Sequence, residues 1–335
     1  MSKIITKITK STDKMTFNMQ KVPTSFANAV RRMCIAEVPI VCIDRESIVF
    51  IKNTSILHNG FLTNRLKLIP IKNTDDIYKN YDDYEIKIDI KNDSLEMKEV
   101  YAKDFEIYKN DKKLNPDDIF VFPTLLIAKL KPKNHIILTA KFKMDIGKNG
   151  AEFNPTTNCL YVFERDEKLI KKMIKEIKDP EMLEEFKICD SDRIYKKTKD
   201  GEPAIFNFTI ETTGSLPCSK IVQYSLIELK KKLENVVTNI KSPDESDYVS
   251  ITKSKTLEGA TDIVLFNEDD TLGNLITYQL FKNPKVDYAG YLIPHPLDRK
   301  VIIRIKPKSG EATTHALNDI NNLIKFIDDI KKKFN

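Results

Sequence analysis

Two pairs of amphipathic segments, each a short one followed at a distance by a long one, set the terms on which this chain can fold. In the first short segment, SFANAVRRMCI, Phe26, Ala29, Val30 and Met33 recur at helical spacing, with Thr24 or Ser25 placed to act as N-cap and Pro39 beyond the far end. Its long companion, SKIVQYSLIELKKKLENVVTNI, puts Val222, Leu226, Leu229, Leu233, Val236 and Ile240 at alternating spacings of four and three, the seam of a helix that packs on another helix. Near the C-terminus DDTLGNLITYQLF carries Leu272, Leu275, Ile276 and Leu280 on one face, and HALNDINNLIKFIDDIKKKF carries Leu317, Ile320, Ile324 and Ile327 as a second seam. Neither module can bury its long seam alone, so the two are expected to pack together into a four-helix core.

Between the helices lie alternating segments of half-buried strand type, with Tyr84, Ile86, Ile88 and Ile90 in one and Phe206, Phe208 and Ile210 in another. The fold class expected is therefore α+β. A first module over residues 1–45 and 160–245 is interrupted by an inserted α+β subdomain over 46–159, whose most distinctive run, Lys72 to Pro132, is rich in Lys, Asp and Asn. The stretch from Asp166 to Phe186 and the loop through Lys199, Asp200 and Gly201 are expected at the periphery. KSPDESDY marks an inter-module linker, placed over 241–250, and a second module follows over 251–335.

With 335 residues the chain can hold two or three compact domains, and 41% apolar and 31% charged residues suit globular ones. The net charge of +6 is mild because 49 acidic residues are interleaved with 55 basic ones, so tight DNA binding by the isolated chain is not expected. The Lys runs at 230 to 232 and 331 to 333 fall on or at the end of helical patterns, where cations suit the solvated face. MSKIITKITKSTDK lacks the features of a secretory signal and no run of about 18 apolar residues occurs, so an intracellular protein without a membrane span is expected. Cys34, Cys42, Cys159, Cys189 and Cys218 are scattered with no CxxC pair, which argues against a disulfide framework and a zinc knuckle.

Phosphate loops, dinucleotide fingerprints, HExxH helices and GxSxG elbows are all missing from the sequence. His58, His135, His295 and His315 are dispersed, and His295 sits between Pro294 and Pro296 in what reads as a rigid turn. Glu268, Asp269 and Asp270 immediately precede Thr271, where acidic residues cap a helix better than they hold magnesium. Asp75, Asp76, Asp82 and Asp83 fall in polar loop sequence as solvated charge. No catalytic residue, metal or cofactor is expected. Asn28, Arg31 and Arg32 share the polar face of the first helix, either as multi-donor groups for carboxylates at a protein interface or as exposed surface charges.

The string SFANAVRRMCIAEVPIVCID resembles the signature of the D-like subunit of archaeal RNA polymerase and the third-largest subunit of eukaryotic polymerase II, a family that includes the N-terminal domain of the bacterial alpha subunit. The resemblance continues through LHNGFLTNRLKLIPI, GKNGAEFNPTTNCLYVF and IFNFTIETTGSLPCSKIVQYSLIELKKKL. NEDDTLGNLITYQLFKNPKVDYAGYLIPHPLDRKVIIRI, Asn267 to Ile305, resembles the L-like subunit of the archaeal enzyme and the eleventh subunit of polymerase II. Most of the chain is covered, apart from the middle of the insert and about Glu164 to Pro203.

The resemblance implies two alpha-N-terminal-domain-like dimerisation modules fused in one chain, packed through a helical core of Val222, Leu226, Leu229, Leu233, Val236, Leu275, Ile276, Leu317, Ile320, Ile324 and Ile327. It implies a non-catalytic assembly platform for RNA polymerase that docks the two large catalytic subunits and small companion subunits. By position, Asn28, Arg31, Arg32 and Glu37, then Asn64, Arg65, Leu66 and Pro70, match the blocks that face the large subunits. In the second module Thr271, Leu272, Gly273 and Asn274 match the helix start, and Gly290, Tyr291, Pro294, His295 and Pro296 the turn and strand. Two departures stand out: the metal-binding Cys cluster of many relatives is missing from Lys72 to Pro132, and Asp270 replaces a usual His. Fusion makes the pairing intramolecular, at an effective concentration on the order of mM for a short linker. It resembles the arrangement in some large cytoplasmic DNA viruses, implying cytoplasm or virion if viral and otherwise nucleus or cytoplasm. The rival readings are a free-standing enzyme, a stand-alone DNA-binding protein and a scaffold outside the polymerase.

Overall fold

The computed structural model describes residues 4–334, the side chain of Asp244 excepted, so residues 1–3 and 335 of the expected modules lie outside the described residues. The helices are α1 (Thr24–Ala36), α2 (Asn59–Lys67), α3 (Asp75–Asn80), α4 (Pro116–Ile119) and α5 (Glu167–Glu176). They continue with α6 (Pro180–Glu185), α7 (Cys218–Lys241), α8 (Asp270–Lys282) and α9 (Ala312–Lys331). At the start of α1 the cap position is held by Pro23 in extended conformation, its carbonyl accepting from the N–H groups of Phe26 and Ala27 at 3.1 Å each. Thr24 and Ser25 therefore stand inside the first turn instead of capping it.

Three larger antiparallel sheets, with a two-stranded one that pairs Lys98–Tyr101 with Leu126–Leu130, carry the helices. The first has the order Ile5–Lys10, Lys14–Gln20, Ile205–Thr212, Thr156–Phe163, and its register sets Phe17 opposite Phe208 and Phe208 opposite Tyr161. Alternation does the work of building a core face: Met15, Phe17 and Met19 on one strand and Phe206, Phe208 and Ile210 on its neighbour are all buried. The second sheet is built on the long strand His135–Asp145, which pairs with Tyr84–Lys91 along one edge and with both Ile40–Ile43 and Val49–Asn53 along the other. The third joins Val249–Lys253, Thr261–Phe266, Lys300–Pro307 and Val286–Leu292 in that order.

These elements enclose two hydrophobic cores, not one per sheet. The larger runs without a break through the first sheet, the third sheet and the four long helices. α1 packs on α7 and α8, and α9 packs on the same two, so the four close into a ring. Phe26 of α1 meets Phe326 of α9 edge-on, with centroids 5.2 Å apart. Val222, Leu226, Leu229, Leu233 and Val236 of α7 are buried there, with Leu275, Ile276, Ile320 and Ile327. Leu317 and Ile324 lie only at the margin of this core, and the buried stripe of α9 is Ala316, Ile320, Leu323, Ile327 and Ile330. The expected seam is thus rotated, because α9 packs on two helices and on the strand Lys300–Pro307, which calls for a broader stripe than a two-helix seam.

The smaller core fills the insert, with Leu62, Ile86, Ile88, Phe105, Phe120, Leu138 and Phe142 among its members. Strand Ile40–Ile43 belongs to both cores: Ile40 and Cys42 face the larger, Val41 and Ile43 the smaller. The bound expected at 159/160 falls inside the strand Thr156–Phe163, whose pairing with Ile205–Thr212 along its length puts it wholly in the first sheet. The linker expected over 241–250 is a folded turn, since α7 runs to Lys241 and the next strand begins at Val249. Within it Ser246 Oγ donates to Asn239 Oδ1 at 2.6 Å and accepts from the N–H groups of Tyr248 and Val249 at 3.0 and 3.1 Å.

Candidate docking face and the junction of the two halves

Burial of Phe26, Ala29, Val30 and Met33 turns the polar face of α1 toward the junction with the second half. Arg31 donates from Nε and Nη2 to Asn28 Oδ1, at 3.1 and 3.0 Å. Arg32 instead crosses the junction: Nε donates to Thr271 Oγ1 at 2.7 Å, and Nη2 lies 3.4 Å from Asp269 Oδ2. Lys148 stands 3.1 Å from Asp269 and 3.6 Å from Glu37. Lys232 stands 3.3 Å from Glu37 and 3.2 Å from Glu268, which also accepts from Tyr248 Oη at 2.7 Å. Positive and negative groups therefore alternate from Arg32 through Asp269, Lys148, Glu37 and Lys232 to Glu268.

Its inner end is the drier one, the Glu268 side chain being 6% exposed and that of Glu37 11%. Burial alone would drive the Lys232 ammonium toward its neutral form, but Glu268 and Glu37 outweigh it and hold the group above its ordinary value. Burial likewise opposes ionisation of Asp269, yet the hydroxyl and N–H of Thr271, together with Lys148, keep its carboxyl well below the usual carboxylate range. Burial and then Glu268 push the Tyr248 phenol up. Asp269 is also the N-cap of α8, accepting from the Thr271 N–H at 2.9 Å, so the cap and the junction share one side chain.

At its outer end the chain of charges borders a cleft of about 300 Å³ lined by Arg31, Arg32, Glu37, Lys148, Asp269 and Thr271 with Ile35 and Ala36. Asp269 and Glu37 answer Arg32 and Lys148 there. Arg31 has a neutral partner in Asn28 and, among the described residues, no carboxylate within ion-pair distance, which leaves its guanidinium able to take one from outside.

The other residues expected to face a partner are distributed differently. Leu66, Leu272 and Gly273 are buried, so they cannot present a docking surface: Leu66 belongs to the core of the insert, and Leu272 to the shared core. A Cβ on Gly273 would come within 2.7 Å of the Tyr291 ring and 2.9 Å of Val301, so this position needs glycine for the close approach of α8 to its sheet. Asn64, Asn274, His295 and Pro296 are exposed, and Pro70 is half-buried with its carbonyl accepting from the Val121 N–H at 3.0 Å. Arg65 donates to the carbonyls of Ile127 and Leu126, at 2.8 and 2.7 Å, and staples α2 to the neighbouring strand. His295 Nδ1 accepts from the Leu297 N–H at 3.1 Å and closes its own turn. Asp270 accepts from Tyr291 Oη at 3.2 Å, a use for the residue that replaces the usual His.

Lys148, Lys232 and Tyr248 carry the junction and were not singled out in the sequence. The run at 230 to 232 divides in three ways: Lys230 pairs with Asp328 at 2.8 Å, Lys231 with Glu228 at 2.7 Å, and only Lys232 turns into the junction. The signal available was its place directly before Leu233 of the buried seam. Among the described residues no group of three or more His, Cys, Asp or Glu could hold a metal ion, and no helix is long and apolar enough to cross a membrane. Cys34, Cys42, Cys159 and Cys218 are buried thiols and Cys189 is exposed.

The family model described as the RNA polymerase Rpb3/Rpb11 dimerisation domain matches residues 16–233, and a second model of the same description matches residues 260–333. The chain belongs to the Rpb3/Rpb11 dimerisation-domain family. It is similar to the DNA-directed RNA polymerase subunit Rpo3 of Pyrococcus horikoshii, 27% identical over 262 residues that cover 69% of this chain and 95% of that one. Subunit 3 of the DNA-directed RNA polymerases II, IV and V of Arabidopsis thaliana is 24% identical over 281 residues, covering 67% and 87% respectively. The subunit rpc19 of RNA polymerases I and III of Dictyostelium discoideum is 44% identical over 68 residues, 19% of this chain and 59% of that protein. The two Rpb3/Rpb11 matches flank the turn after α7, and every charged residue of the junction falls inside one or the other.

Proposed function

We propose that the chain is a non-catalytic assembly subunit of a multisubunit DNA-directed RNA polymerase, a platform on which the two large catalytic subunits and small companion subunits dock. The observation that carries this reading is that two segments matching one dimerisation family occur in a single chain and share one hydrophobic core. A partner that other polymerases supply as a separate chain is here the second half of the same molecule. RNA synthesis, with its metal ions, belongs to the large subunits. The docking face comprises Arg31 at the cleft with its partner Asn28, and the exposed residues Asn64, Asn274, His295 and Pro296 add further points of contact. Arg32, Glu37 and Thr271 serve the pairing of the halves. The fused arrangement and the Lys-, Asn- and Ile-rich sequence also support an origin in a large cytoplasmic DNA virus, which mapping the gene to its genome tests.

The test is affinity capture of the tagged full-length chain from its native source, with mass spectrometry and a nonspecific transcription assay on the eluate. The unmodified chain is expected to bring down two large subunits with RNA-synthesising activity. Arg31→Glu is expected to lose most of them while keeping its melting temperature, whereas Arg32→Glu lowers the melting temperature first. Recovery of the unmodified chain alone under gentle conditions overturns the reading.

A further inference from the structure

Arg32 and Tyr278 hold the same place in their helices, each the ninth residue, counted from Thr24 in α1 and from Asp270 in α8. Arg32 finds its carboxylate at the cap of α8, on Asp269. The cap of α1 is Pro23, which has no side-chain acceptor to offer in return. Tyr278 is met instead by a segment of the first half that no element of the helical ring provides. Its hydroxyl donates to Glu202, at 3.0 Å from Oε1 and 2.9 Å from Oε2. One turn further along α8, Lys282 lies 3.8 Å from Glu202 and 3.7 Å from Asp200, with its ammonium 5.5 Å from the centroid of the Tyr278 ring.

The segment that supplies Glu202 is shaped for the purpose. Lys197 and Pro203 bridge as in a hairpin, the Thr198 N–H donates to the Glu202 carbonyl at 2.7 Å, and the Glu202 N–H donates to Thr198 Oγ1 at 3.2 Å. Gly201 takes φ +84° at the tip, a conformation that L side chains rarely adopt, with open space around it. The base of the hairpin is tied to the first sheet by the Lys196 N–H on the Glu164 carbonyl at 2.8 Å.

We propose that the hairpin Lys196–Ala204 is a second interface between the two halves, a strap whose partner is the outer face of α8 in the same chain. The ionic junction holds the start of α8 and the strap holds its second half, so the module is fixed at two places along one helix. A helix held twice resists the swinging out that would let it exchange with the corresponding module of a second chain. The inference concerns pairing within the chain and stands whether or not the polymerase reading does.

The test uses the full chain with a protease site inserted in the turn 243–246, cleaved after folding, at a urea concentration where the parent fragments separate at a measurable rate. Fragment separation after dilution is followed by native mass spectrometry. Glu202→Ala and Tyr278→Phe are each expected to speed separation by about fivefold, the scale of one hydrogen bond to a partly exposed carboxylate. The double variant is expected to separate no faster than the quicker single one, because both remove the same bond. Gly201→Ala removes no contact but strains the tip, and is expected to act in the same direction. Rates within twofold of the parent for all three single variants, or single effects that multiply in the double variant, overturn the proposal.

Discussion

At the scale of single residues, the junction is a case of charges that cannot be treated one at a time. Lys232 lies between Glu37 and Glu268, and removing either carboxylate would leave a largely buried ammonium short of a partner, which destabilises far more than the intact set stabilises. Asp269 can be tested more cleanly, because Asn keeps its shape and still accepts from the Thr271 N–H. Its folded-state acidity is stronger than that of an unfolded aspartate, so its contribution is fully present above the unfolded value near pH 4 and is lost as pH falls through the lower folded value. Urea unfolding between pH 5 and pH 2.5 should therefore show stability falling with acidification, and Asp269→Asn should flatten that fall while lowering stability at pH 7. An unchanged slope in the variant would mean that other carboxylates carry the acid sensitivity. Little of this was legible in the sequence. Asp269 could be placed as a cap from its position before Thr271, but the alternation of charge joins residues as distant in sequence as Arg32 and Asp269, which no local spacing records.

For whole elements, the seam of α7 shows what periodicity can deliver and that of α9 where it slips. Val222, Leu226, Leu229, Leu233, Val236 and Ile240 could be named in advance, because every member is buried, and Ile221, Ser225 and Val237 beside them only widen the same stripe. On α9 the sequence offers two overlapping stripes, one through Leu317 and Ile324 and one through Ala316 and Leu323. Choosing between them requires knowing that α9 meets α7, α8 and a strand at once. Two leucines one stripe apart make a direct comparison. Leu323→Ala is expected to cost about 2–5 kcal/mol, the range for a leucine whose cavity cannot collapse, while Leu317→Ala at the margin costs less than half as much. Thermal or urea denaturation measures both, and equal losses would restore the seam centred on Leu317. The burial of Leu66 and Gly273 was hidden for a related reason, whereas Leu272 already stood on the apolar face read from the sequence. A residue inside a matching block can serve the fold as well as a partner, and only packing separates the two.

In the molecule as a whole, the covalent connection and the shared core make different contributions to one-to-one pairing. The seven residues 242–248 between α7 and the next strand form an ordered turn, and the ring of α1, α7, α9 and α8 is closed by apolar burial on both sides of it. Lengthening a connection is thermodynamically mild: each doubling costs about 0.6 kcal/mol in closure entropy. Inserting seven Gly and Ser residues after Pro243 should thus leave a monomer at micromolar concentration in light scattering, with a melting temperature lowered by about 2 °C or less. Dimers that increase with protein concentration would instead mean that the tight turn enforces pairing in cis, with the core unable to distinguish its own second half from that of a neighbour. The two outcomes separate two kinds of platform. If the core suffices, the halves pair on their own and fusion chiefly fixes stoichiometry. If the turn is needed, the short connection between α7 and Val249 is itself part of what pairs the two halves.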